Sequence, residues 1–145
     1  MTHYRLATVA DLDACQAFEW TRSREDLAWH IAGELLFVAE HDGRLVGYAR
    51  LESFWKAMPY LALIQVAPEM RGTGIGSALL RFIRGDLAAR GYRWLLSSTT
   101  SGEDGPARWH QRNGFVHVGT LAELNDGGGE EFWRLPLQSE AADPA

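Results

Sequence analysis

The sequence predicts a mixed α+β fold, a sheet with helices inserted between its strands, on three observations. Apolar runs of strand length stand between segments of helical periodicity, an Asp-Gly pair joins two of those runs, and the segment after Gly76 repeats its apolar residues every three to four positions. The 145 residues, 46% hydrophobic and 23% charged, suit one core. The expected organisation is a single domain over 1–137 with a frayed tail over 138–145.

Each element follows in order. His3 to Val9 alternates loosely as a strand, and Asp11 is placed to cap a helix whose apolar positions are Leu12, Cys15 and Phe18. Ser23 with Asp26 three residues on opens a second helix, which breaks near Gly33. Leu35 to Glu40 and Leu45 to Glu52 form a hairpin about His41-Asp42-Gly43-Arg44. Tyr60 to Val66 is a third neighbouring strand, reached through the loop Phe54 to Pro59 and stopped by Pro68. Ile75, Ala78, Leu79, Phe82, Ile83 and Leu87 then mark the best-defined helix, with Gly91 as its stop. Strands over Tyr92 to Ser98, Phe115 to Leu121 and Glu131 to Leu137 complete the chain. A short helix from Pro106 to Arg112, ended by Asn113-Gly114, lies among them.

Composition removes several classes of function. A formal charge of -5 disfavours a general nucleic-acid binder, because phosphate backbones reward basic surfaces. No apolar run reaches the roughly 20 residues that cross a bilayer and no leader pattern opens the sequence, so a cytoplasmic protein without a membrane partner is expected. Cys15 is the single cysteine and reads as a small buried hydrophobe. The five histidines form no close ligand pair, so no metal is expected.

The stretch Gln65-Val66-Ala67-Pro68-Glu69-Met70-Arg71-Gly72-Thr73-Gly74-Ile75-Gly76-Ser77 carries the chemistry. A glycine-rich turn entering a helix points backbone N–H groups at the positive end of the helix dipole, and bare Cα atoms let an anion come close. A P-loop requires a lysine that is missing here, and a dinucleotide fingerprint requires Gly-x-Gly-x-x-Gly, whereas the spacing is Gly-x-Gly-x-Gly. A glycine turn that serves only tight packing of strand and helix is the plain alternative.

Arg71-Gly72-Thr73-Gly74-Ile75-Gly76 matches the Arg/Gln-x-x-Gly-x-Gly/Ala motif of the GNAT superfamily of N-acetyltransferases, which this sequence closely resembles. Ala107 to Phe115, ending in Gly114-Phe115, looks like the family's second motif, and the resemblance spans nearly the whole domain. It implies a mostly antiparallel central sheet of six to seven strands, splayed at the coenzyme site and flanked by about four helices. It also implies acetyl-CoA as cosubstrate, with the pantetheine arm on the main chain of Ile64, Gln65 and Val66. The amides of Arg71, Gly72, Thr73, Gly74, Ile75, Gly76 and Ser77 would then hold the pyrophosphate, with a hydroxyl from Ser77 and charge from Arg71.

The expected function is transfer of the acetyl group to a primary amine of a small molecule or protein, directly within a ternary complex. The alternative is a non-catalytic acetyl-CoA-binding sensor or interaction module. This sequence departs from the family by carrying His110 where a tyrosine often protonates the thiolate. His110 is the candidate acid, charged more readily if Glu103 or Asp104 stands near, and a solvated helix residue otherwise. The strand Tyr60 to Val66 lacks the glutamate that many relatives carry, so Glu52 is the first candidate base and Glu69 the second. Trp20, Trp29, Phe54, Trp55 and Tyr60 crowd the segments where the family holds its acceptor. Most of these rings are expected in packing, with Trp55 as a candidate lid over an amine. Gly127-Gly128-Gly129 suggests a mobile loop, and exposed strand edges make a homodimer conceivable.

Overall fold

The computed structural model describes residues 1–138. Seven strands and four α-helices lie along them: β1 Thr2–Leu6, α1 Leu12–Phe18, α2 Arg24–Ala32, β2 Leu36–His41, β3 Arg44–Phe54, β4 Met58–Val66, α3 Ile75–Ala89, β5 Trp94–Thr100, α4 Asp104–Arg112, β6 Val116–Ala122 and β7 Gly129–Pro136. The hydrogen-bonded strand order is β1-β2-β3-β4-β5-β7-β6. The pairs β1–β2, β2–β3, β5–β7 and β6–β7 are antiparallel, and β4–β5 is parallel. This is the mixed, mostly antiparallel sheet that the sequence leads one to expect. The residues divide into two compact units, one of Met1–Glu52 with Ala62–Arg84, the other of Ser53–Leu61 with the chain from Gly85 on.

In the first unit, Asp42 and Gly43 turn the β2–β3 hairpin at φ 51° and 77°, the paired left-handed geometry for which an Asp-Gly loop is suited. Cys15, Leu27, Leu36, Val38 and Tyr48 form one buried cluster, and Ala39, Val46 and Ile75 another. Burial pushes the Cys15 thiol up to about 12, which fits a packing residue. Gly47 is what lets α3 approach β3: a Cβ there would stand 2.9 Å from the Ala39 Cβ and 3.3 Å from Ile75 Cγ2. The start of α1 differs from expectation. A 3-10 turn, Val9–Asp11, precedes it, and the Asp11 side chain makes no cap bond to α1. Its carboxylate instead accepts the Thr8 N–H at 2.7 Å and the Arg5 guanidinium at 2.7 and 3.0 Å, so the charge partner decides its place. Ser23 caps α2 as expected, accepting the Asp26 N–H at 3.0 Å.

In the second unit, β5 begins two residues beyond the predicted Tyr92. The Tyr92 N–H is spent on Leu87 O, closing the end of α3 around Gly91 at φ 92°. The helix α4 begins two residues before Pro106, whose missing N–H falls in the first turn, where no helical carbonyl would take it. The expected loop before Tyr60 contracts to a tight turn, with Trp55 and Lys56 at φ 54° and 62°. Alternate β5 residues Leu95, Ser97 and Thr99 are buried. Of the expected tail, the Gln138 amide donates to Ala88 O and Tyr92 O, each at 3.0 Å, and residues 139–145 lie outside the described residues.

Candidate active site

The glycine loop sits in the first unit between the end of β4 and α3. Gly72 and Gly74 hold φ 78° and 86°, and a Cβ built on either meets nothing within 4 Å. Tight packing therefore does not explain these two glycines; backbone conformation does. Thr73 Oγ1 donates to Met70 O at 2.5 Å and ties the turn. The first helical bond runs from Ala78 N–H to Gly74 O, so the amides just before Ala78 have no carbonyl within the helix. Ile75 is buried and anchors the helix, while Gly76 and Ser77 lie in its first turn. Arg71 Nε donates to Val66 O at 3.2 Å, which ties its charge to the end of β4. Ile64, Gln65 and Val66 follow on β4 after Leu61, the last residue in register with β5, opposite Ser97.

Glu52, in the same unit, is not an ordinary surface residue. Its Oε1 accepts His30 Nε2–H at 2.6 Å and Arg50 Nη1–H at 2.5 Å. Arg50 also grips Glu19 through Nε at 2.8 Å and Nη2 at 3.3 Å, and the Tyr48 hydroxyl donates to Glu19 at 2.7 Å. Burial opposes ionisation of Glu19, yet Arg50 and Tyr48 hold its carboxyl below the usual range. Burial, followed by the bond to Glu19, raises the Tyr48 hydroxyl. The partners of Glu52 escaped the sequence reading. The one available signal was alternation on β3, which puts Tyr48, Arg50 and Glu52 on one face. Glu69, the second candidate, is exposed and paired with Arg44 at 2.8 Å.

His110 lies in the second unit and is buried, which overturns the solvated alternative. Its Nδ1–H donates to Pro106 O at 2.8 Å, so Nε2 accepts the Ser97 hydroxyl at 2.8 Å. Burial lowers its pKa below the usual 6.5, so the expected help from Glu103 or Asp104 toward a charged imidazole is not realised. Those two carboxylates face a cavity of about 440 Å³ that is also lined by Thr99, Gln111, His117 and Glu131. Glu131 is held down to about 2 by hydrogen bonds from Ser101, Thr120 and His117.

Two further expectations change. Trp20, Trp29 and Trp55 are 80%, 64% and 83% exposed, so these rings are not core material. The indole is bulky and amphipathic, and surface turns and helix faces hold it without a core. The glycine loop before β7 is tied rather than loose: Asn125 Oδ1 accepts the N–H groups of Gly127 and Gly129 at 2.9 and 3.2 Å.

Comparison with known proteins identifies the family. The family described as acetyltransferase (GNAT) domain matches residues 32–117. The amino-acid acetyltransferase of Ralstonia nicotianae is 37% identical over 82 residues, 56% of this chain but only 17% of that protein's length. The ribosomal-protein-alanine N-acetyltransferase of Brucella melitensis superposes with a TM-score of 0.81 at 24% identity, covering 92% of this chain and 99% of that one. YncA from Salmonella typhimurium, solved with its cofactor acetyl-CoA, gives 0.80 at 22% identity, over 100% of this chain and 99% of that one. At such identities the two structures speak for the fold. Since the family match takes in more than half of the residues, including the whole glycine loop and α4, the chain belongs to the GNAT acetyltransferase family.

Proposed function

We propose that this protein is an acetyl-CoA-dependent N-acetyltransferase acting on a primary amine of a small molecule or protein, by direct transfer with both substrates bound. The observation that carries this reading is the glycine loop, left-handed at Gly72 and Gly74 with open space where side chains would stand, at the N-terminus of a helix of 15 residues. The amides just before Ala78, without a carbonyl partner in the helix, favour an anion, and a pyrophosphate suits them. The Arg71 N–H donates to Pro68 O at 3.3 Å, which leaves Arg71 its side-chain charge to offer. The residues Arg71 through Ser77 bind it in this reading. The main chain of Ile64, Gln65 and Val66, past the last β5 pair, takes the pantetheine arm as an added strand. The bound coenzyme supplies a thioester.

The chain's own work is then positioning and proton removal. An ammonium must lose a proton before it can attack, and Glu52 is the base in this account. Two donors on one of its oxygens, from His30 and Arg50, hold the carboxylate in place. His110, with both ring nitrogens committed inside the second unit, is assigned to seating α4, and water protonates the thiolate.

A thiol-release screen with acetyl-CoA over primary amines tests the reading. Some amine is expected to give a saturable rate, which Glu52→Gln lowers by on the order of 10²-fold at neutral pH. A wild-type pH profile in that variant removes Glu52 from the mechanism. Coenzyme binding without release on any amine favours the non-catalytic module instead. His110→Phe is expected to leave the pH profile unchanged.

A further inference from the structure

The ring of His30, on α2, is buried and meets an acceptor at each nitrogen. Nδ1 stands 2.8 Å from the carbonyl oxygen of Asp26, which can only accept, so Nδ1 carries a proton. Nε2 stands 2.6 Å from Glu52 Oε1, and that contact needs a proton as well. The same Oε1 accepts Arg50 Nη1–H at 2.5 Å, a cationic donor that favours the ionised carboxylate, so the second proton belongs to the ring.

The charges that face the ring agree. Asp26 Oδ2 lies 3.7 Å from Nδ1 on the same helix, and Arg22 holds Asp26 at 2.9 Å. From β3 come Glu52 and Arg50, and Arg50 in turn holds Glu19 at 2.8 Å. Three carboxylates thus stand against two guanidiniums, and an imidazolium closes the balance. His110 shows the other outcome: the Ser97 hydroxyl supplies the proton at Nε2, so that ring needs only one of its own.

Glu52 is left with unlike oxygens. Oε1 holds two donors, whereas Oε2 has no hydrogen-bond partner among the described residues, and 36% of the side chain is exposed. We propose that His30, protonated at both nitrogens at neutral pH, is a positioning residue for Glu52: the imidazolium pins Oε1 and leaves Oε2 to take the proton. In that step an N–H bond of the ammonium breaks and an O–H bond forms at Oε2, with His30 and Arg50 unchanged. The positioning role rests on Glu52 being the base in the acyl-transfer reading; the double protonation does not.

Nitrogen-15 NMR of protein labelled at its histidines, with the His30 signals identified by their loss in His30→Gln, tests the proposal. At about pH 7.5 a free imidazole, with a pKa of about 6.5, is mostly neutral. His30 is expected to show no signal of an unprotonated ring nitrogen there, while His110 shows one. In Glu52→Gln the carboxylate is gone, and His30 is expected to gain an unprotonated nitrogen while the His110 signals stay in place. The second arm uses an amine that the thiol-release screen finds. His30→Phe is expected to lower kcat/KM on the order of tenfold at neutral pH. His30→Gln, whose amide offers a donor that does not titrate, recovers most of that loss. Its rate relative to the wild type climbs as pH passes the point where the wild-type ring loses its proton. An unprotonated His30 nitrogen in the wild type at about pH 7.5 overturns the proposal, and so does a ratio that stays flat through that titration. Two protons on His30 in a protein that turns over no amine support the paired ring and strike only the acyl-transfer reading.

Discussion

His30 and His110 sit in different units and share one local geometry: each lies on a helix, each is buried, and each has Nδ1 2.8 Å from the carbonyl oxygen four residues earlier. They differ in what meets Nε2. His30 faces the Glu52 carboxylate, inside a network with Arg50, Glu19 and Tyr48, whereas His110 faces the neutral hydroxyl of Ser97. The ring and its helix are thus a common module, and the strand beneath decides the chemistry. The result on β3 is a network of ion pairs, and on β5 a neutral contact.

The contrast predicts unequal costs. Arg50→Met leaves Glu19 and Glu52 without their shared cation, and a loss of about 3 kcal/mol or more in urea unfolding is expected, since removing one partner strands buried charge. Ser97→Ala leaves His110 Nε2 without a donor and is expected to cost only about 1–2 kcal/mol. Equal losses for the two variants would erase the distinction between a charged and a neutral polar core.

Acid sharpens it further. His110 has its pKa lowered by burial, so its contribution is whole above 6.5 and fades as pH falls below that value, where the unfolded chain takes up the proton first. Unfolding midpoints measured from pH 7.5 down to 5.5 are expected to decline in the wild type and to decline less in His110→Phe. Glu131 works in a lower window. Its hydrogen bonds from Ser101, Thr120 and His117 depress it from 4.5 to about 2, so its contribution is present above 4.5 and is lost between the two values. The smallest expected effect is a shallower acid transition in Glu131→Gln over that range.

The sequence revealed some of this and hid the rest for physical reasons. The loop from Gly72 to Gly76, α3 and the Asp42-Gly43 hairpin are local patterns, in which neighbours along the chain dictate backbone conformation. The bond between His30 and Glu52 joins residues 22 positions apart, and that between Tyr60 and Ser98 joins residues 38 apart, so no short-range pattern contains either. Element boundaries slipped where a main-chain group had a competing use, as at Tyr92. The burial of His110 on α4 and the exposure of Trp20 in the turn after α1 are not legible from residue type, which does not say whether a side chain faces the core or solvent. Among the described residues, no helix is long and apolar enough to cross a membrane.

The central claim is that the loop between β4 and α3 holds the coenzyme's pyrophosphate, and calorimetric titration with acetyl-CoA of the wild type and Gly74→Ala tests it most directly. At φ 86° an alanine strains the turn by on the order of 1–2 kcal/mol and puts a methyl group into the open cradle. The account predicts a saturable heat for the wild type and at least tenfold weaker binding for a variant that still unfolds cooperatively. No binding by the wild type, or equal affinity in the two proteins, would contradict it.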